Sequence, residues 1–209
     1  MKGKFITLEG IEGVGKSTHI NFIRNTLSEA GILNLISTRE PGGTPIAEAI
    51  RQVWLAHYEE GMTIEADLLL LFACRAQHVQ HLIKPNLEKG VWVLCDRYVD
   101  ASYAYQGAGR GVALDLITQL DHWICQRCEP DLTLLFDAPV SLALSRIKNR
   151  KADRIEVENE DFFERVREHY LMRARQYSKR YRLIDASQSM DEVQKQLHAV
   201  LLEFVESQP

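Results

Sequence analysis

Short apolar runs alternate along this chain with longer stretches whose apolar residues recur at helical spacing. The runs are Phe5–Leu8, Leu33–Ser37, Val91–Cys95, Leu132–Phe136 and Arg182–Ile184. Strands alternating with helices predict a parallel sheet covered on both faces. Helix boundaries are marked locally. Ser189-Met190-Asp191-Glu192 forms a capping box ahead of a stripe of Val193, Leu197, Val200, Leu201 and Phe204. Thr44-Pro45 and Ala138-Pro139 place proline in a first turn. No repeat, low-complexity tract or linker interrupts the pattern, so residues 1–209 are expected to form a single domain.

One helical stretch departs from simple amphipathicity. Between Leu68 and Ile83, one stripe carries Leu68, Phe72, Arg75, Val79 and Leu82. An arginine within an apolar stripe needs a partner, a snorkelling path or a ligand. Arg75 is expected to point into a pocket, with Phe72 stacked beside its ligand.

Composition narrows the function classes. With 45% hydrophobic residues, 26% charged residues and a net charge of −4, nothing favours nucleic acid or a membrane surface. The longest apolar run, Leu68 to Cys74, is too short to span a bilayer, and the apolar run between Lys4 and Glu9 is shorter than a signal peptide is expected to need. A cytoplasmic protein is expected. Of the four cysteines, Cys125 and Cys128 make one C-x-x-C with His122 a turn earlier. A structural zinc site needs a second pair, so all four are read as reduced packing residues.

The chemistry begins at Gly10-Ile11-Glu12-Gly13-Val14-Gly15-Lys16-Ser17, which fits G-x-x-x-x-G-K-[ST] directly after the first strand run. In such a loop, backbone N–H groups and the following helix N-terminus hold phosphates. The lysine reaches the terminal phosphates and the hydroxyl serves Mg²⁺. A second signal is Val91-Trp92-Val93-Leu94-Cys95-Asp96, a strand ending in an acid where a metal-associated carboxylate belongs, with Arg97 immediately after. Thr38-Arg39-Glu40-Pro41-Gly42-Gly43-Thr44 supplies an arginine and a glycine turn at the end of the second strand. From Arg146 to Arg154 five of nine residues are basic, which suits an arginine-rich lid over a triphosphate, about residues 147–158.

Taken together with Phe72-Ala73-Cys74-Arg75-Ala76-Gln77-His78, Asp96-Arg97-Tyr98, Tyr105-Gln106-Gly107-Ala108-Gly109-Arg110-Gly111 and Asp185-Ala186-Ser187, these segments resemble the bacterial thymidylate kinases over nearly the whole chain. The resemblance implies phosphorylation of dTMP by ATP with Mg²⁺. It also implies an α/β, three-layer P-loop fold with a five-stranded parallel sheet, and a homodimer. By motif, Lys16 and the loop from Gly10 to Thr18 would hold the ATP phosphates. Ser17 and Asp96 would organise Mg²⁺. Arg97 and Arg39 would hold the dTMP phosphate, and Glu12 would lie near the acceptor sugar. Phe72 would stack on thymine and Arg75 would donate to its O4. Ser102 and Gln106 would complete the base pocket, Tyr105 would crowd the sugar 2′ position, and Arg146 with Ala186, Ser187 and Gln188 would flank adenine.

Two departures from the family pattern stand out. One branch carries a basic residue where this chain has Gly13, so the lid arginines Arg150 and Arg154 become the candidates for neutralising the transferring phosphoryl. Some members place the aromatic four residues before the base-reading arginine; here Leu71 holds that position and Phe72 is three before. The alternatives are a kinase acting on another nucleotide or nucleoside, and a regulatory P-loop switch. The switch would carry N-K-x-D, which the chain lacks.

Overall fold

The computed structural model describes residues 2–126, 128–148 and 158–208. Five strands, β1 (Phe5–Glu9), β2 (Leu35–Arg39), β3 (Trp92–Asp96), β4 (Leu132–Asp137) and β5 (Tyr181–Asp185), form one parallel sheet in the order β2-β3-β1-β4-β5. Every expected run falls on a strand, with the start shifted at β2 and at β3, where Val91 lies before the first strand residue. Leu33 lies before β2 and is 79% exposed, because sheet pairing there begins with Trp92 N donating to Asn34 O.

Alternate residues of the inner strands bury on opposite faces. Ile6, Leu8, Leu94 and Leu134 belong to one apolar cluster, while Phe5, Val93 and Cys95 belong to another. A sheet buried on both sides explains why its strands read as continuous apolar runs. The first cluster takes Ile23 and Leu27 of α1 (Lys16–Glu29). It also takes Val193, Leu197 and Leu201 of α9 (Met190–Glu206), whose N-cap is Ser189 as the capping box predicts. The second cluster takes Leu68 and Phe72 of α3 (Ile64–His78), with Ile117 and Cys125 of α6 (Leu114–Cys125). Cys125 and Cys128 are free and packed in that cluster.

The remaining helices are α2 (Pro45–Leu55), α4 (Lys84–Glu88), α5 (Val99–Ser102), α7 (Val140–Ile147) and α8 (Glu160–Gln176). Thr44 caps α2 by accepting from Ala47 N, with Pro45 in the first turn. The stretch read as a helix from Leu68 begins earlier, at Ile64, where Thr63 accepts from Ala66 N. It passes through a π-helical turn (Val79–Ile83) into α4. A second π-helical segment, Tyr103–Gly109, follows α5. Helices α2, α3 and α5 and this second segment wall the site.

A buried ionic cluster ties α8 to the sheet. Asp100, fully buried, accepts from Arg173 Nε at 2.6 Å and from both Arg180 terminal nitrogens at 2.9 Å. Arg180 also donates to Thr133 Oγ1, which shares a 2.9 Å hydrogen bond with Thr7 Oγ1 across β1 and β4. Burial works to raise the Asp100 pKa, but Arg173 and Arg180 outweigh it and bring it from 3.8 to about 2. Stability from this group is therefore present above about pH 4 and lost as pH falls toward about 2. Asp100→Ala would strand two buried guanidiniums. Urea unfolding should show a loss of about 3–5 kcal/mol; a loss below about 1 kcal/mol would mean that the arginines find other partners.

Candidate active site

The in-register pairing of β1 with β3 sets Leu8 beside Asp96, and Arg97 N donates to Leu8 O at 2.9 Å. The two chemistry-bearing strand ends are thus level at the carboxyl edge of the sheet, where α/β proteins bind ligands. From β1 the chain enters the glycine loop. Gly13 has φ 76°, and a Cβ there would come within 2.0 Å of Ala143 O on α7. A side chain at this position would therefore collide with the backbone of α7. Gly15, in the left-handed region at φ 89°, caps α1 without any side-chain hydrogen bond. The first N–H groups of α1 therefore remain available to an anion.

Lys16 crosses this loop and donates to Gly10 O at 2.8 Å and Ile11 O at 2.7 Å. Burial lowers its pKa from 10.5 to about 8, and the nearby Arg97 charge adds to the effect. Ser17 Oγ donates to Asp96 Oδ2 at 3.2 Å, while Asp96 Oδ1 is buried without a hydrogen-bond partner. A hydroxyl and an orphaned carboxylate oxygen side by side fit a hard divalent cation that takes its other ligands from phosphates and water.

Arg97 has its backbone in the left-handed region, at φ 68°. For a non-glycine residue this costs on the order of 1–3 kcal/mol, and such strain clusters at functional sites. The conformation turns its guanidinium back over the loop, to Gly10 O at 3.0 Å and Glu12 Oε1 at 2.8 Å. Tyr105 OH donates to the other Glu12 oxygen at 2.6 Å, and the Arg97 guanidinium lies 4.9 Å from the Tyr105 ring centre. Behind them Glu9 is fully buried, receiving Tyr98 N and Tyr170 OH at 2.8 Å each. Burial, with the neighbouring Asp100 charge, raises its pKa from 4.5 to about 8.

Two connected hollows meet here. A cleft of about 680 Å³ runs along Glu12 to Thr18, past Asp96 and Arg97, to Arg146, Ala186 and Gln188. Arg146 Nη1 donates to Ala186 O at 2.9 Å, so the structure places these two residues together. Ser187 instead turns onto Asp185 Oδ1 and does not line the cleft. Arg39 lines the cleft and donates to Glu48 Oε2 at 2.9 Å. Arg51 lines it as well, donating to Pro41 O, a residue the sequence reading passed over. A helical offset of seven from Thr44 was the available signal.

The second hollow, a cavity of about 60 Å³, is lined by Leu71, Arg75, Ser102, Tyr105 and Gln106, together with Trp54 and Glu40, which the sequence reading had not assigned to it. Arg75 is 2% exposed. It donates to Glu40 Oε2 at 2.7 Å, Ser102 Oγ at 3.0 Å and Tyr98 O at 3.2 Å. Burial opposes its charge, but Glu40 outweighs burial and holds its pKa above the ordinary arginine value. His78 Nδ1 shares the second Glu40 oxygen at 2.9 Å, and His78 Nε2 pairs with Thr38 Oγ1 at 2.7 Å. The buried ion pair and the pocket-facing arginine, two readings open in the sequence, are both realised.

The expectation for Phe72 is corrected. Phe72 is 2% exposed within the second core cluster, and Arg75 lies over its ring at 4.7 Å. Leu71, not Phe72, reaches the cavity wall. Both positions neighbour Arg75 on the helix, and packing of α3 against the sheet selects which one turns inward. Arg150, Arg154 and the lid between Lys148 and Glu158 lie outside the described residues.

A polyphosphate held at Lys16 Nζ would restore its full charge. ATP binding with Mg²⁺ at pH 8.5 should therefore take up a proton, measurable by calorimetry in buffers of different ionisation heat. Below about pH 7 the uptake should vanish, because Lys16 is already charged. In Lys16→Met it should be lost; persistence there would assign it to Glu9.

Residues 8–197 match the sequence profile of the family described as thymidylate kinase. The thymidylate kinase of Pseudomonas syringae pv. tomato is 50% identical over 209 residues, covering 100% of this chain and 99% of its own. That of Ruthia magnifica is 50% identical over 201 residues, covering 96% and 98%. Among solved structures, thymidylate kinase from Ehrlichia chaffeensis superposes with a TM-score of 0.77 at 32% identity, over 96% of this chain and 99% of that one. A glycine loop, a strand-end acid and a buried arginine pocket on one sheet edge thus coincide with near full-length similarity, and the chain belongs to the thymidylate kinase family.

Proposed function

We propose that this chain phosphorylates dTMP to dTDP with ATP by positioning and charge neutralisation alone. The observation that carries the reading is the junction of the two hollows. Glu12, Glu40, Pro41, Trp54 and Arg97 line both, so a donor in the cleft and an acceptor in the cavity would meet at the P-loop. ATP lies along the cleft with its phosphates over Gly10 to Thr18 and Lys16, and its adenine between Arg146 and the Ala186–Gln188 turn. The dTMP base enters the cavity, and its phosphate faces Arg97 and Arg39, with Arg51 on the same wall.

A phosphate monoester is already ionised at neutral pH, so the acceptor needs no general base. The obstacle is the approach of two anions, and the protein meets it with fixed positive charge. Lys16 leaves the carbonyls of Gly10 and Ile11 for the donor phosphates. Arg97, oriented by Glu12, bridges toward the acceptor. Ser17 and Asp96 would hold Mg²⁺, which supplies charge screening at the phosphates. The part of Arg150 and Arg154 in neutralising the transferring group rests on the family resemblance.

Base selection follows from Arg75. A guanidinium only donates, which suits the carbonyl O4 of thymine and opposes the amino group of cytosine. Glu40 and His78 lock the side chain, so it does not turn away to relieve a mismatch.

The homodimer expected of the family is supported by apolar side chains left open on α3 and α6. Leu69 is 58% and Trp123 72% exposed. Free, buried cysteines support residence in a reducing compartment, the cytoplasm. Among the described residues no helix is long and apolar enough to cross a membrane.

ADP formation should be measured with ATP, Mg²⁺ and a panel of dTMP, dUMP, dCMP, dGMP, AMP and thymidine. Strong preference for dTMP is expected, with dUMP lower by about 10- to 200-fold and dCMP by up to about 10⁴-fold. Arg75→Ala should collapse the preference over dCMP, and Lys16→Ala should lower kcat at least about a hundredfold. Preference for another acceptor, or an intact dCMP barrier in Arg75→Ala, would overturn the thymine pocket.

A further inference from the structure

Asp67 sits on α3 two turns before Arg75 and is fully buried, although nothing in the phosphoryl-transfer chemistry calls for an acid there. Its Oδ1 accepts from Trp54 Nε1 at 2.9 Å, its Oδ2 accepts from Gln106 Nε2 at 2.8 Å, and Arg110 Nη1 lies 3.5 Å away. Gln106 and Trp54 both line the small cavity. The partner of Gln106 matters because an amide side chain is two-ended. One end donates and the other accepts, and the two are nearly equal in shape. A carboxylate accepts only. With the amide nitrogen committed to Asp67, Gln106 presents its Oε1 to the cavity. The side chain is 2% exposed, and the nitrogen contact is its only side-chain hydrogen bond among the described residues.

We propose that Asp67 is a specificity-determining positioning residue: it fixes the polarity of the Gln106 amide so that the cavity offers one donor, Arg75, and one acceptor, Gln106 Oε1. The proposal rests on the reading that this cavity receives the thymine base. The thymine edge carries an acceptor at O4 and a donor at N3–H, the complement of that pair. The cytosine edge carries a donor at the 4-amino group and an acceptor at N3, so it is opposed at both positions. Uracil has the same edge as thymine, and this device leaves it untouched. Arg75 alone could be bypassed by a small shift of the base; a donor and an acceptor held on separate elements remove that escape. Arg75 is held by Glu40, and Gln106 by Asp67, so each reading group has its own buried carboxylate.

The test is Asp67→Asn in the full chain. Asparagine donates as well as accepts, which frees the Gln106 amide to turn. Steady-state rates with dTMP, dUMP and dCMP should show the dTMP:dCMP ratio of kcat/KM falling at least tenfold, while the dTMP:dUMP ratio stays within twofold. General damage to the fold would lower all three together and leave both ratios as they were, which overturns the proposal. Gln106→Leu is run beside it. If Gln106→Leu lowers the dTMP:dCMP ratio and Asp67→Asn does not, the pocket reading stands and the role of Asp67 fails. If neither variant moves the ratio, the base is read elsewhere and both fail. A second measurement does not need the Asp67 variant to fold. In wild-type protein with ¹⁵N-labelled dTMP, the N3–H imino proton should give a protected resonance that is absent in Gln106→Leu. Its absence in the wild type would mean that the amide does not present its oxygen.

Discussion

The hydrogen bond from Arg97 N to Leu8 O, the last rung of the β1–β3 ladder, is the constraint from which the site follows. It brings the glycine loop and the strand-end acid to the same height, so Ser17 and Asp96 meet although they lie far apart in sequence. It also forces the next turn of backbone. Arg97 leaves the ladder in the left-handed region, which sends its side chain over Gly10 and delivers Tyr98 N to the buried Glu9. Beyond this point the polar side chains Glu12, Lys16, Ser17 and Arg97 gather among the apolar residues that line the hollows.

Two kinds of positive charge result, and they differ in what holds them. Arg75 is enclosed, its charge balanced by Glu40 within the wall of the cavity. Such a group adds little net field and acts by direction, as a donor that cannot rotate away. Lys16 and Arg97 line the open cleft, Lys16 held by the Gly10 and Ile11 carbonyls and Arg97 by Glu12. On the proposed reading the first kind recognises the base and the second neutralises the phosphates. Separating them would keep the small cavity nearly charge-balanced beside the open cleft.

The sheet and the glycine loop were legible because their signals are local. An apolar run bounded by turn residues reads as a buried strand whatever surrounds it, and Gly10, Gly15 and Lys16 carry their geometry within eight residues. The base pocket was legible only in part. Arg75 stood out as an anomaly in its stripe, but whether Leu71 or Phe72 turns to the cavity depends on how α3 is rotated against the sheet. That rotation is a matter of how α3 packs into the cluster that includes Val93, Tyr98 and Ile117, and spacing along α3 does not contain it. The part of Glu40 in the cavity was not legible, nor were Trp54 and Asp67, for a related reason. Each matters through a partner on another element, Arg75, Asp67 and Gln106 respectively, and their own local patterns are those of a turn residue, a helix aromatic and a first-turn acid.

The π-helical segment Tyr103–Gly109 places Tyr105 and Gln106 together on the cavity, while Gly107 and Gly109 let Leu114 and Phe162 approach where a Cβ would come within 2.7 and 2.5 Å. This ties function to residue count as much as to residue identity. Adding or removing one position would rotate everything beyond it by a large part of a quarter turn. The glycines would then move off their contacts and the two pocket residues would move off the cavity in the same step. Six of the seven residues of this stretch are buried, so the packing constrains its length as tightly as its composition.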